Sequence, residues 1–152
     1  PAAVLVKAVI LKLSVISNKA FNDSFIPKYI GVPLNVQQKL MDKGEDIYGH
    51  PRSSDQENKE QIAQRMADGF YDLVKRNEGK TVAIISHGDP IRLLMYRLEH
   101  PEGEIPSMSV LSKEGYLKRG EAFCVMLDQE GKILETQILS NLKGKQGERE
   151  KY

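Results

Sequence analysis

The chain lacks tryptophan and has one cysteine, Cys124, among its 152 residues. A single thiol excludes an internal disulfide and leaves no Cys-x-x-Cys pair for a metal or redox site. No apolar run approaches the roughly 18 residues that span a bilayer, which argues against a membrane protein. Lys and Arg number 22 against 21 Asp and Glu, so no excess of positive charge indicates a nucleic-acid partner. We therefore expect a cytoplasmic protein that binds neither a membrane nor a nucleic acid.

The remaining composition is that of one folded domain. Apolar residues make up 40% of the chain and charged residues 28%, which is typical of a globular protein. We predict a single α/β domain over residues 1–142 and a charged tail over 143–152. Residue 1 is proline rather than methionine, so we expect a fragment, a processed product or a trimmed chain. Residues 2–13 (AAVLVKAVILKL) predict a buried helix, with a signal-peptide remnant as the alternative.

The first half of the chain alternates short elements with loops. Residues 14–21 predict a short strand, and residues 22–36 a loop, because Pro27, Gly31 and Pro33 interrupt any regular pattern. Residues 35–42 predict a short helix. Residues 43–55 contain two glycines, a proline and two serines, which indicates a surface loop.

The clearest helix is predicted over residues 56–77. Its apolar side chains recur on one face, at Ile62, Met66, Phe70, Leu73 and Val74. Ser54 or Asp55 is expected to cap its start, and Asn77 to lie at its end. An interior glycine, Gly69, indicates close packing against another element.

A continuous apolar run, residues 81–85 (TVAII), predicts a strand covered on both faces. A helix is predicted over residues 91–98, with Asp89 as N-cap and Pro90 as its first residue. Helix, strand, loop and helix in this order indicate a three-layer α/β sandwich with a mostly parallel sheet. Residues 121–127 and 133–139 predict a hairpin, in which Cys124 is a strand residue rather than a nucleophile.

The loop between that strand and helix carries the clearest chemical signal, Ser-His-Gly-Asp-Pro. Ligands of open α/β sheets bind beyond the carboxyl ends of strands, and a helix N-terminus favours anions. His87 can donate to phosphate oxygens there, and Gly88 lets a ligand approach the backbone. Arg92 adds a charge to the site or points to solvent. His50 and His100 lie next to prolines and are interpreted as loop residues.

The segment TVAIISHGDPIR, residues 81–92, resembles the second histidine motif of the histidine phosphatase superfamily, the phosphoglycerate mutase-like group. Glu57 and Arg65 resemble an acidic residue and an arginine of the family's preceding helix. The family's L-x-E-x-x-x-G-x-x-x-G pattern falls on Phe21, Asp23, Pro27 and Gly31, so only its last glycine is kept here. The family's Arg-His-Gly motif, which carries the nucleophilic histidine, has no counterpart, since no histidine follows an arginine.

The resemblance implies a phosphatase or mutase that acts on a phosphorylated small molecule or phosphate ester without a metal or cofactor. His87 would stabilise the transferring phosphoryl group, and Asp23 would stand where the family's acid protonates the leaving oxygen. An Asx turn or cap is the alternative reading of Asp23.

Two functional hypotheses follow. In the first, the chain is the carboxy-terminal part of such an enzyme, truncated before its nucleophile. In the second, it is a catalytically incomplete protein that binds phosphate or acts in assembly. In either case, an exposed sheet edge would favour a homo-oligomer. A weaker third reading is an unrelated α/β fold with a strand that ends in Ser-His-Gly.

Overall fold

Two packed helices organise the part of the chain that the structure describes. The structure is a computed structural model, and it describes residues 14–48, 56–113, 115–118 and 120–140. In chain order the regular elements are two 3-10 turns (Lys19–Phe21 and Pro27–Tyr29), helices α1 (Leu34–Asp42), α2 (Lys59–Arg76), α3 (Gly88–Glu99) and α4 (Met108–Leu111), and strands β1 (Ala122–Leu127) and β2 (Ile133–Leu139).

The longest of these helices, α2, confirms the helix predicted before the apolar run. It begins at a capping box, in which the Asn58 side chain accepts from the Gln61 N–H and the Gln61 side chain accepts from the Asn58 N–H. The expectation that Ser54 or Asp55 caps this helix is therefore wrong. Asn58 lies directly before the first turn, where its side-chain oxygen reaches the free N–H groups. The helix ends at Asn77, as expected.

The core lies between α2 and α3. One face of α2 buries Ile62, Met66 and Phe70, and α3 buries Leu93, Leu94 and Leu98 against it. Ile105, Met108 and Leu111 extend the same cluster beyond α3. Burial of such side chains is worth about 1.5–3 kcal/mol each, so this cluster dominates the stability of the described region.

Gly69 confirms the expected close packing. It faces the first 3-10 turn, and a Cβ at this position would overlap the Cβ of Ala20 and lie 3.2 Å from Cζ of Phe21. Only a residue without a side chain lets this turn contact the helix. Gly69 therefore sets the position of the segment that leads to Asp23.

The start of α3 differs from the prediction. The helix begins at Gly88, and His87 stands at the N-cap position without a side-chain cap. Asp89 is thus not the N-cap, and Pro90 is the third helical residue rather than the first. Proline is tolerated there because first-turn N–H groups have no acceptor within the helix.

The amino-terminal prediction holds only in part. Residues 14–21 do not form a strand, because the Asn18 side chain accepts from the Ala20 N–H and folds Lys19–Phe21 into a 3-10 turn. The short helix predicted over residues 35–42 is confirmed as α1. In the predicted loop over residues 43–55, the described part ends at Tyr48, which is almost completely buried.

The predicted hairpin is confirmed. Strands β1 and β2 pair antiparallel, from Ala122 opposite Leu139 to Leu127 opposite Ile133, with one irregularity next to Met126. Cys124 lies half-buried in β1, opposite Gln137.

The strand predicted over residues 81–85 is not formed in the described part of the chain. These residues pair with neither described strand, and Val82 and Ile85 are exposed. A strand exists through its ladder of hydrogen bonds, and the described residues supply no neighbour for one here. The three-layer sandwich with a mostly parallel sheet is therefore not seen, and the sheet in view is the two-stranded hairpin.

Some predictions fall elsewhere in the chain. The helix expected over residues 2–13 and the tail expected over 143–152 lie outside the described residues. Among the helices that are described, none combines the length and apolar character needed to cross a bilayer.

Candidate functional site

His87 and Asp23 form a pair at the start of α3. Nδ1 of His87 lies 3.2 Å from Oδ2 of Asp23. The two side chains are 61% and 55% exposed, so a ligand in solvent reaches both. The two residues that the sequence assigned to phosphate stabilisation and proton donation are thus adjacent, although 64 positions separate them.

Two hydrogen bonds hold the segment before Asp23 close to His87. The Ser86 hydroxyl donates to the carbonyl of Phe21 at 2.8 Å, which joins the residue before His87 to the turn before Asp23. From α2, Nη1 of Arg65 donates to the carbonyl of Ala20 at 2.7 Å. Backbone carbonyls thus fix the path of this segment, whatever side chains it carries.

Glu57 and Arg65, which resemble two residues of the family, form an ion pair. Nε and Nη2 of Arg65 donate to the two carboxylate oxygens of Glu57, at 2.6 and 2.8 Å. Such a two-point contact fixes the guanidinium plane, and the remaining nitrogen donates to the carbonyls of Ala20 and Asn22. Arg65 thereby positions the backbone directly before Asp23.

Gly88 and Asp89 open α3 beside this pair. Their N–H groups have no acceptor within the helix, and the N-terminus carries the positive end of the helix dipole. A Cβ on Gly88 would overlap the Tyr116 hydroxyl, so glycine is required by a protein contact there. The sequence expected this glycine to admit a ligand, and the structure adds Tyr116 as its neighbour.

Asp89 is held by two tyrosines. The Tyr48 hydroxyl donates to Oδ2 and the Tyr116 hydroxyl donates to Oδ1, both at 2.8 Å. The Tyr48 hydroxyl also lies 2.8 Å from the hydroxyl of Ser24, the residue that follows Asp23. One carboxylate therefore joins three distant segments around the start of α3.

The electrostatics of this network favour protonated tyrosines. Burial raises the pKa of Tyr48 above its ordinary value, and the negative charge of Asp89 raises it further. The pKa of Tyr116 is raised by the same two causes in the same order. Both hydroxyls therefore remain hydrogen-bond donors to Asp89 throughout the neutral range.

The sequence did not reveal the roles of Tyr48, Tyr116 and Ser24. The two tyrosines lie in segments without periodicity, 41 and 27 positions from Asp89. The one available signal was Asp89 itself, a carboxylate in the first turn of a helix, and that was interpreted as a cap.

The other candidates lie away from this site. Arg92 neither points to solvent nor contacts the pair, because it is buried and its Nε donates to the carbonyl of Leu111. His100 is exposed at the opposite end of α3, where its ring stacks on Tyr96. His50 lies outside the described residues. No group of three or more potential metal ligands occurs within the described ranges.

Comparison with known proteins identifies the family of the chain. Residues 8–113 match the model of the histidine phosphatase superfamily, branch 1. This match covers more than half of the chain and includes Asp23, Arg65 and His87. The chain belongs to the histidine phosphatase superfamily, whose fold is of the α/β class. No curated protein and no solved structure matches it.

Proposed function

We propose that His87 and the first turn of α3 bind the phosphoryl group of a phosphorylated small molecule or phosphate ester. The observation that carries this proposal is the exposed pair of His87 and Asp23 at a helix N-terminus. Family membership supports it, because it suggests a phosphatase-like or mutase-like activity. The N–H groups of Gly88 and Asp89 supply donors of the kind that anions bind at helix starts.

The geometry divides the two nitrogens of His87 between protein and ligand. Nδ1 faces Asp23, which leaves Nε2 for a phosphoryl oxygen. A protonated imidazole donates from both nitrogens, so the same ring contacts the carboxylate and the phosphoryl group. This arrangement suits a residue that holds negative charge as it develops during transfer.

Asp23 is proposed as the acid of the reaction. In this step Asp23 enters protonated; when the bond between phosphorus and the ester oxygen breaks, the oxygen gains an electron pair and takes that proton, which leaves Asp23 as the carboxylate that faces His87. The phosphoryl group passes to a nucleophile, which is a histidine in this family. None of the three histidines in this sequence follows an arginine, so none carries that motif.

The negative charge of Asp89 lies at the helix start and by itself opposes the binding of an anion there. Its two oxygens each accept a tyrosine hydroxyl, and these neutral donors satisfy the hydrogen bonding of the carboxylate. The bonds orient the carboxylate towards Tyr48 and Tyr116. We propose that this network leaves the helix N-terminus available to the phosphoryl group.

The same proposal includes a three-layer α/β sandwich for the complete fold. A three-layer sandwich with a mostly parallel sheet would pair residues 81–85 and cover Val82 and Ile85, which are now exposed. It would also place His87 at the carboxyl end of a strand, where such folds bind ligands. The single cysteine agrees with a cytoplasmic setting.

The alternative function is a catalytically incomplete protein that binds phosphate or acts in assembly. It requires only the proposed phosphate site of this chain. Both functions use the same phosphate site, so hydrolysis of p-nitrophenyl phosphate separates them. Release of p-nitrophenol that is lost in Asp23→Asn supports the enzyme, and phosphate binding without turnover supports the alternative.

Phosphate binding is tested by thermal unfolding with inorganic phosphate or vanadate. At ten times the Kd, ligand linkage adds about 1.4 kcal/mol, which raises Tm by about 3–6 °C for a chain of this size. The variant His87→Ala is expected to lose this rise. The control Lys75→Ala removes an exposed cation from α2 and is expected to keep it. An equal rise in wild type and His87→Ala contradicts the proposal.

A further inference from the structure

A second concave site lies on the other side of α3 from the core. An open cavity of about 600 Å³ is bounded by α3, α4 and the hairpin. Neither His87 nor Asp23 lines it. Its size is within the range of small-molecule pockets, and its walls mix apolar and polar side chains.

The unusual wall residue of this cavity is Arg92. It is 6% exposed, and its Nε donates to the carbonyl of Leu111 at 3.1 Å. Among the described residues, no carboxylate pairs with its guanidinium, and Nη1 and Nη2 have no hydrogen-bond partner. A buried charge is normally paired, because leaving it unpaired costs several kcal/mol.

Gly115 lies beside this guanidinium. A Cβ at Gly115 would lie 3.9 Å from Nη2 of Arg92, which is an ordinary van der Waals contact, and Gly115 has a positive φ of 72°. Arg92 and Gly115 both line the cavity, so the guanidinium without a carboxylate partner lies at the cavity wall. An anion in the cavity would supply such a partner.

The other residues that line the cavity indicate what kind of molecule would fit it. Leu111 and Phe123 are apolar, and the rings of Tyr96 and His100 stack with their centroids 4.4 Å apart. Glu99 lies seven residues after Arg92, about 10 Å along the helix, so negative charge is disfavoured at that end. The site thus has one cationic end and a wall with apolar and aromatic side chains, to which Thr136 and Gln137 add polar groups.

We infer that this cavity, the Arg92 cavity, binds a small molecule in which an anionic group is attached to a flat apolar body. Arg92 takes the anion through its two free terminal nitrogens, in the geometry that guanidinium groups use for carboxylates and phosphates. The apolar body lies against Leu111 and Phe123. This site is separate from the proposed phosphate site at His87 and does not depend on it.

The experiment titrates three fluorinated probes that share one body, followed by fluorine NMR. They are 4-(trifluoromethyl)benzoate, 4-(trifluoromethyl)phenylphosphonate and the neutral 4-(trifluoromethyl)benzyl alcohol. At least one anion is expected to bind about tenfold or more tightly than the alcohol, as charge-assisted hydrogen bonds predict. The stronger of the two anions identifies a carboxylate or a phosphate ligand.

Two variants and a control locate the binding. Arg92→Gln is expected to abolish the preference for the anion while the alcohol binds as before. Val110→Trp places a large ring on the cavity wall from a residue that is 46% exposed, and it is expected to weaken all probes. Val36→Trp makes the same change on α1, outside the cavity, and is expected to bind like wild type.

Several results would overturn the inference. They are a failure of both anions to bind, an alcohol that binds as tightly as the anions, or anion binding unchanged in Arg92→Gln. If Arg92→Gln does not fold, Val110→Trp decides, since unchanged binding in that variant places the probe elsewhere. Phosphonate binding lost in His87→Ala but kept in Val110→Trp assigns that probe to the other site and also overturns the inference.

Discussion

Removal of the Tyr48 hydroxyl tests the network around Asp89 most directly. In Tyr48→Phe, Oδ2 of Asp89 loses its donor at 2.8 Å and the Ser24 hydroxyl loses its neighbour, while Tyr116 still holds Oδ1. The ring stays, so apolar burial is unchanged. A hydrogen bond to a charged group is worth about 1.5–3 kcal/mol, and the Tyr48 side chain is almost completely buried, so we expect a loss of about 2 kcal/mol at pH 7.

The two tyrosines also make the free energy of unfolding depend on pH. The pKa values of Tyr48 and Tyr116 are raised by folding, whereas an unfolded tyrosine has a pKa near 10. Above pH 10 the unfolded chain therefore holds fewer protons than the folded chain, and stability falls as the pH rises. The contribution is fully present below pH 10, and each tyrosine steepens the decline by up to about 1.4 kcal/mol per pH unit.

Urea unfolding at pH 7 and at several values above pH 10 measures both quantities. Tyr71→Phe is the matched control, because Tyr71 is half-exposed and its hydroxyl makes no hydrogen bond within the described residues. We expect Tyr48→Phe to lose stability at pH 7 and to show a shallower decline above pH 10. Equal losses in Tyr48→Phe and Tyr71→Phe, or parallel alkaline declines in Tyr48→Phe and wild type, would refute the network.

Two further predictions concern the segment that carries Asp23. Alanine normally stabilises a helix interior by about 1 kcal/mol over glycine, yet we expect Gly69→Ala to cost about 1–3 kcal/mol, because its Cβ overlaps Ala20. Adding Ala20→Gly should restore stability, and a stable Gly69→Ala alone would show that the turn moves freely. Arg65→Lys should cost about 2 kcal/mol in urea unfolding, since a lysine cannot contact Glu57 and the carbonyl of Ala20 together. A loss below that of Glu57→Gln would contradict this reading.

Local patterns predicted the elements whose stability is mostly local. Helix α2 followed from apolar spacing, and the hairpin followed from alternation around a polar turn. The start of α3 was misplaced because Asp89 is a good cap by type, while its carboxylate is used by two distant tyrosines. The choice between these roles depends on tertiary contacts, which no local pattern contains.

The sequence predicted two residues of the candidate site, but not the residues that hold the site in place. His87 followed from the loop pattern and the family resemblance, and Asp23 from the resemblance alone; the two lie 3.2 Å apart, and their roles stay predictions. Tyr48 and Tyr116 could not be found, because long-range hydrogen bonds leave no periodic trace. The strand over residues 81–85 was predicted from composition, but a ladder needs a neighbour, and composition does not supply one.

The close approach of Gly69 to the first 3-10 turn has a consequence for how the site opens. The turn is joined to the rest of the described chain by hydrogen bonds at the carbonyls of Ala20 and Phe21 and by the Phe21 side chain, which packs in the core cluster. Opening at these points would separate Asp23 from His87 while the core between α2 and α3 stays folded. If this segment opens locally, the pairing of Asp23 with His87 follows an opening equilibrium with a free energy below that of global unfolding. A ligand that bridges both side chains would close this segment by mass action.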